Sequence, residues 1–110
     1  MIDYVTFETA LKLKGAGFSQ PIKTNTGNVT YRNVGKRVFA PRATDIMLHL
    51  PDGCQLQMEI ETHGRESKPM WYVFPPDHWG YKHNGKQVFP EGNENPAEAA
   101  AQMWLKLNQK

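Results

Sequence analysis

The chain has 110 residues, a net charge of +2 and a hydrophobic content of 39%, which predict one folded domain over residues 1–110 and exclude a disordered chain. The small net charge gives no general attraction to nucleic acid, and no apolar run approaches the roughly 18–20 residues of a membrane span. The start of the chain does not follow the basic-then-apolar order of a signal peptide, so we expect a cytoplasmic protein with no membrane association.

The first predicted helix covers residues 7–16. Thr6 can accept hydrogen bonds from the free amides of its first turn, and Gly17 suits the left-handed position after its end, where Phe18 would pack back on the helix. The expected apolar side consists of Phe7, Ala10, Leu11 and Leu13.

Two short strands and a middle helix are predicted next. The strands cover residues 28–32 and 36–40, with a turn at residues 33–35. Pro41 has the fixed φ that favours a first helical position, so we expect a short helix over residues 41–50.

The clearest strand covers residues 54–62. Leu56, Met58 and Ile60 alternate with polar residues, which predicts one face on a core and one face towards water. A turn region is expected over residues 63–69, and the next strand, residues 70–74, is apolar on both faces, as is typical of a central or covered strand. A weaker hairpin is expected over residues 79–83 and 86–89, because Asn84-Gly85 tolerates positive φ at both turn positions.

The last helix is the most clearly marked element. Asn95 is the expected cap, Pro96 lies in the first turn, and Glu98 occupies the capping-box position. A stripe at helical spacing comprises Ala97, Ala100, Ala101, Trp104 and Leu107. We therefore predict an α+β fold: an antiparallel sheet of four to five strands with the N- and C-terminal helices packed on it, plus the short middle helix.

Three segments, residues 6–21, 39–46 and 95–108, together resemble small uncharacterised proteins of bacteriophages and prophages, of the Bacteroidetes type. They are also similar to the phage αβα-sandwich domains. The resemblance implies a layered α/β fold, an accessory role, and a bacterial cell or phage-infected host as the setting. It implies no activity and no site residue.

The residue types that act in catalysis or metal binding in other proteins have ordinary structural explanations in this sequence. The single cysteine, Cys54, has no Cys or His at metal-ligand spacing and is expected to be a small apolar or surface residue. Glu59 and Glu61 fit the solvated face of a strand, and His63 lies at the end of that strand. A zinc site formed by Glu61, His63, His78 and His83 would support the third-ranked alternative, a small hydrolase or metal enzyme. We expect no enzyme activity and no cofactor.

The most informative cluster combines aromatic and basic residues, and we take the candidate binding residues to be Trp71, Tyr72, Trp79, Tyr81, Arg65 and Lys82. Three interpretations stay open: core packing, a protein interface, and stacking of unpaired bases with cations on the phosphates. The favoured function is a non-enzymatic phage or mobile-element accessory protein that binds an unidentified protein partner, with a homodimer as one form of that contact. The alternative is a single-stranded nucleic-acid binding module.

Overall fold

The computed structural model describes residues 3–20, 29–33, 36–77 and 80–108. Its elements are α1 (Phe7–Gly15), β1 (Thr30–Asn33), β2 (Lys36–Phe39), α2 (Ala43–Met47), β3 (Gln55–His63), β4 (Glu66–Phe74), β5 (Lys82–His83), β6 (Lys86–Gln87), β7 (Glu91–Asn93) and α3 (Pro96–Leu107). The predicted α+β class is confirmed, with helices packed on antiparallel strands. The strands are divided among three small sheets, ordered β1-β2, β3-β4-β7 and β5-β6.

Helix α1 begins and ends with the local signals that the sequence predicts. The Thr6 hydroxyl accepts a hydrogen bond from the Thr9 amide at 3.3 Å. At the other end, Gly17 has a φ of +91°, and the Phe18 amide donates to the Leu13 carbonyl at 2.8 Å, as in a Schellman motif. Phe18 is buried, whereas Leu11 is largely exposed. The prediction that Leu11 belongs to the buried side is wrong, because α1 is covered along a narrow stripe only.

Helix α3 is the centre of the core. The Asn95 side chain caps it by accepting a hydrogen bond from the Ala97 amide at 2.9 Å. It contacts β4 and β7 as well as α1 and α2, so it is buried on nearly all sides. The predicted stripe is confirmed as buried: Ala97, Ala100, Ala101, Trp104 and Leu107. Over the described ranges, no helix is both long and apolar enough to cross a membrane.

Glu98 does not complete a capping box on its own helix, so this prediction is wrong. The Asn95 amide donates to the Asn93 side chain at 2.9 Å, which leaves the Glu98 carboxylate free to turn towards α1. There it accepts a hydrogen bond from the Thr6 amide at 2.7 Å. The carboxylate thus satisfies an unpaired donor at the start of α1 instead of one at the start of α3.

The first sheet and the middle helix differ from the prediction in detail. Strands β1 and β2 pair antiparallel, while residues 34–35 of the predicted turn lie outside the described residues. Pro41 does not open α2: it is buried in extended chain, and its carbonyl accepts a hydrogen bond from the Val5 amide at 3.2 Å. The helix begins two residues later, where the Arg42 amide donates to the Asp45 carboxylate at 2.9 Å.

The predicted Asn84-Gly85 turn is confirmed. Asn84 has a φ of +52° and Gly85 a φ of +78°, the two positive values of a type I′ turn. The strands that it joins, β5 and β6, have two residues each, and Tyr81 precedes them. Trp79, where the hairpin was predicted to begin, lies outside the described residues.

Candidate interaction surface

Strands β3 and β4 form a long hairpin that extends beyond the core, here called the arm. Each strand has nine residues, about 27 Å of extended chain, and they pair over their full length from Gln55–Phe74 to His63–Glu66. The turn is only Gly64-Arg65, with a φ of +65° at Gly64. The predicted turn over residues 63–69 is therefore too long, because Pro69 lies inside β4 and does not end it.

The third strand of this sheet supports only the base of the arm. Strand β7 pairs with residues 71–73 of β4, and α3 contacts both of these strands. The radius of gyration is 14.8 Å, against about 13 Å for a compact domain of this length. The tip of the arm, beyond Met70, therefore has no third strand beside it within the described residues.

One face of the arm is apolar from its base as far as Ile60 and Pro69, and only the pair Thr62–Ser67 at the tip of this face is polar. The register places Leu56 beside Val73, Met58 beside Trp71, and Ile60 beside Pro69, and because paired residues share a face, these six residues define the apolar arm face. Val73 is fully buried, but Met58 is 50% exposed and Ile60 is 65% exposed. The prediction that this face lies on a core is wrong beyond Leu56, since α3 and β7 cover its base only.

The opposite face of the arm, here called the polar face, carries the polar residues of β3 beside Met70, Tyr72 and Phe74 of β4. The Tyr72 hydroxyl donates a hydrogen bond to the Glu61 carboxylate, and this bond, with a smaller effect of desolvation, raises the pKa of Tyr72. His63 Nε2 lies 3.7 Å from the same carboxylate. The Tyr72 ring also covers Gly92, the residue beside it on β7. Glu61 is therefore part of a surface network. Glu59 and Glu61 lie on the solvated side of the strand, as the sequence predicts.

The aromatic and basic residues singled out in the sequence do not form one site. Trp71 and Tyr72 are neighbours in β4 and so point to opposite faces of the sheet. Arg65 is in the turn at the tip, about 20 Å of extended chain away from Trp71. Lys82 and Tyr81 belong to the separate β5–β6 hairpin. Within the part of the chain that the structure describes, these five residues are dispersed over four places: the two faces of the arm, its tip and the β5–β6 hairpin.

The cations near the arm are balanced by carboxylates. Lys68 forms an ion pair of 2.7 Å with Glu94, which raises the pKa of Lys68 and lowers the pKa of Glu94. The arm itself carries Glu59, Glu61 and Glu66 against Arg65 and Lys68. Such a balance gives little attraction for a phosphate backbone.

A cleft of about 430 Å³ lies between the β5–β6 hairpin and the end of α3. Its lining residues are His83, Asn84, Lys86, Gln87, Val88, Lys106 and Leu107. Lys106 already forms an ion pair with Glu91 at 2.6 Å. The cleft thus has a basic rim, but the residues that line it include neither a carboxylate nor a thiol.

The candidate chemical groups are not brought together. Among the described residues, no three His, Cys, Asp or Glu side chains lie close enough to hold a metal ion, and His78 lies outside those residues. Cys54 is free and half-buried, and burial raises the pKa of its thiol, which favours the unreactive protonated form. It lies at the base of the arm, far from His63 at the tip.

Sequence reasoning missed the exposure of Met58 and Ile60, which distinguishes this surface. The signal was present: an apolar alternation of this length needs a large partner layer, and the sequence predicts only two long helices to cover it. Comparisons with protein-family models, with curated proteins and with solved structures find no match to this chain.

Proposed function

We propose that this protein is a non-enzymatic accessory protein, of phage or mobile-element type, that binds another protein chain through the apolar arm face. The observation that carries the proposal is the exposure of Met58 and Ile60 on a strand pair that projects from the core. The phage setting and a bacterial cytoplasm are inferred from the sequence resemblance alone.

The chemistry of the face supports protein as the partner. Burying one exposed Met or Ile side chain contributes up to about 1.5–3 kcal/mol, and Trp71 beside Met58 is the residue type most enriched at binding hot spots. Its indole Nε1 is buried without a hydrogen-bond partner within the described residues, so its polar atom is not offered to a ligand. Pro69 adds a rigid apolar contact near the tip. A face of this kind favours an apolar protein surface.

The nucleic-acid alternative has less support from the arm. Stacking of successive bases needs aromatic rings on one surface with unpaired cations beside them. Trp71 and Tyr72 lie on opposite faces, and Lys68 is paired with Glu94. Binding of a labelled oligo(dT) that weakens steeply with salt, and that is lost on substitution of Arg65 or Lys82 by alanine, would establish this alternative instead.

The proposal is tested by site-specific photocrosslinking in cells. A benzophenone amino acid replaces Ile60 on the apolar arm face or, as the control, Glu8, an exposed position in the first turn of α1 and away from the arm. We expect a discrete protein adduct from position 60 that is absent from position 8 and is lost when Met58 is also replaced by Glu. Equal labelling at both positions, or no adduct at either, would overturn the proposal.

A further inference from the structure

The outer edge of β3 offers a regular row of unpaired backbone groups. A two-residue turn closes on a hydrogen-bonded pair, and such pairs alternate along an antiparallel ladder. The closing pair is His63 and Glu66, so odd-numbered residues of β3 bond to β4, whereas even-numbered residues direct their N–H and C=O groups outward. These are Leu56, Met58, Ile60 and Thr62. Within the described residues, no strand pairs with this edge.

The outer edge of β4 is protected, and this contrast points to the function of the β3 edge. By the same alternation, Pro69 is an outward position of β4, beyond the three residues that pair with β7. Proline has no N–H to offer, and it is one of the devices by which proteins prevent pairing at a sheet edge. Strand β3 contains no proline, no lysine and no glycine. One edge of the arm is therefore blocked and the other is left able to pair.

We propose that a second copy of this chain pairs with the β3 edge, antiparallel, with Met58 facing Met58 across the two-fold axis. This inference rests on the proposed function: the second copy is a protein partner that meets the apolar arm face along its β3 edge, where Leu56, Met58 and Ile60 of the two copies contact one another. The product is a continuous six-stranded sheet, in the order β7, β4 and β3 of one copy followed by β3, β4 and β7 of the other. The two apolar arm faces then merge into one apolar surface.

The side chains of β3 select this register. With Met58 on the axis, Leu56 lies beside Ile60 of the other copy, so apolar residues meet on one face. On the polar face, Gln57 meets Glu59 and Gln55 meets Glu61, which are pairs of amide donors with carboxylate acceptors. Each strand supplies both the amide donors and the carboxylate acceptors of these pairs, because Gln residues precede Met58 and Glu residues follow it.

The neighbouring registers are less favourable. A shift that centres the axis on Glu59 places two carboxylates directly opposite each other, and a shift that centres it on Ile60 places Glu59 beside Glu61. Like charges at such positions are destabilising. A shift towards Gln57 takes Glu61 out of the paired segment and leaves Ile60 beside Cys54, outside the strand. Charge complementarity therefore favours pairing centred on Met58.

Sedimentation velocity on the full chain tests the dimer. We expect the wild type to sediment as a dimer at micromolar concentration and Met58→Lys to raise the dissociation constant about tenfold or more, because two cations then meet at the axis. Leu48→Lys is the control for the loss of an exposed apolar side chain, since Leu48 is the most exposed large hydrophobic among the described residues and lies in the turn after α2. A wild type that stays monomeric at 100 µM and higher, a concentration chosen as about a hundred times a micromolar dissociation constant, contradicts the dimer.

Disulfide trapping tests the register. In a Cys54→Ala background, Met58→Cys places two thiols on a hydrogen-bonded pair with Cα atoms about 5.5 Å apart, within the range that a disulfide bridges. In the same register, Glu59→Cys leaves its two Cα atoms about 8 Å apart, too far for a bridge. We expect diamide to give a covalent dimer from Met58→Cys and not from Glu59→Cys. The opposite pattern, or equal trapping, overturns the register.

Amide hydrogen exchange gives a readout that needs no variant. Pairing at this edge slows exchange at Leu56, Met58 and Ile60 as protein concentration rises, and it leaves the amides bonded to β4 unchanged. Failure here is distinguishable from failure of the proposed function. A monomer whose position 60 crosslinks to a different protein disproves the dimer and supports the proposed function, whereas a monomer without any adduct disproves both.

Discussion

Thr9 and Glu98 join the first and last helices across 89 positions of sequence, with the Thr9 hydroxyl donating to Glu98 Oε2 at 2.7 Å in the buried core. The Thr6 hydroxyl donates in turn to Thr9 Oγ1 at 3.1 Å, and the Thr6 amide donates to Glu98 Oε1. One carboxylate from α3 therefore completes the N-terminal cap of α1, a task that a residue of the same helix usually performs.

Replacement of this carboxylate is expected to destabilise the fold. Glu98→Gln keeps the shape but sets an amide N–H₂ against a donor, so it loses a charge-assisted bond and leaves a buried group unpaired. We expect a loss of about 1.5–3 kcal/mol in the free energy of unfolding, measured by urea denaturation. Glu8→Gln, an exposed change in the first turn of α1, is the control and should cost less than about 1 kcal/mol. Equal losses for the two variants would show that the buried bonds contribute nothing.

A second prediction separates the core from the arm. Ile46 is fully buried whereas Ile60 is mostly exposed, so the same substitution has different consequences. Ile46→Ala should cost about 2–5 kcal/mol through lost burial and a cavity. Ile60→Ala should stay within about 0.5 kcal/mol, when denaturation is measured at nanomolar concentration where association does not contribute. A large loss for Ile60→Ala would mean that the arm face belongs to the core after all.

A third prediction concerns the contact between Tyr72 and Gly92. A Cβ atom added at Gly92 would lie 2.5 Å from Tyr72 Cε1, so Gly92→Ala must displace the ring. We expect a loss of about 1–3 kcal/mol that is largely absent in a Tyr72→Ala background, as measured by a double-mutant cycle. Gly15→Ala is the control, because nothing lies within 4 Å of its Cβ position and alanine favours a helix. Additive losses would show that the ring and Gly92 do not interact.

The fourth prediction is a loss of stability at high pH. The Tyr31 hydroxyl donates to the Val5 carbonyl at 2.7 Å, and burial, followed by the nearby Tyr4 and Glu98, raises the pKa of Tyr31 above its usual 10.0. The folded state thus holds this proton more tightly than the unfolded state. Its contribution is complete below about pH 10 and is lost as the pH rises through the folded pKa.

Thermal unfolding from pH 8 to pH 11.5, a range set around the tyrosine pKa of about 10, measures this effect. The melting temperature of the wild type should fall more steeply above pH 10 than that of Tyr31→Phe, even though the variant is less stable at neutral pH. Titration of the phenolate absorbance in urea provides the unfolded reference. Parallel curves for the two proteins would exclude Tyr31 as a source of the alkaline loss.

The sequence predicts well those features that depend on neighbouring residues. Thr6, Gly17 and Asn95 set helix ends, and Asn84-Gly85 sets a hairpin, because each acts on backbone groups within a few positions. The stripe of α3 is equally local. These signals account for the correct α+β class and for most of the element boundaries.

The features that the sequence does not predict depend on distant parts of the chain. Alternation at Leu56, Met58 and Ile60 defines a face, but the extent of the layer that covers it depends on α3 and β7. The effect of Pro69 depends on which side of β4 its nitrogen faces. The partner of Glu98 lies at the other end of the sequence. For the candidate site, the alternation of β4 already separates Trp71 from Tyr72, whereas the distance of Arg65 from Trp71 depends on the length of β4, which the sequence predicts as too short.

The position of Pro69 also limits how many copies can join. A symmetric contact through β3 uses the same edge of both chains. A third chain along the arm would have to pair with the outer edge of β4, and that edge lacks a hydrogen-bond donor at Pro69. Contacts that use one surface twice close on themselves, whereas contacts between two different surfaces continue into fibres. A single imino acid in β4 thus favours a finite complex over an open-ended polymer.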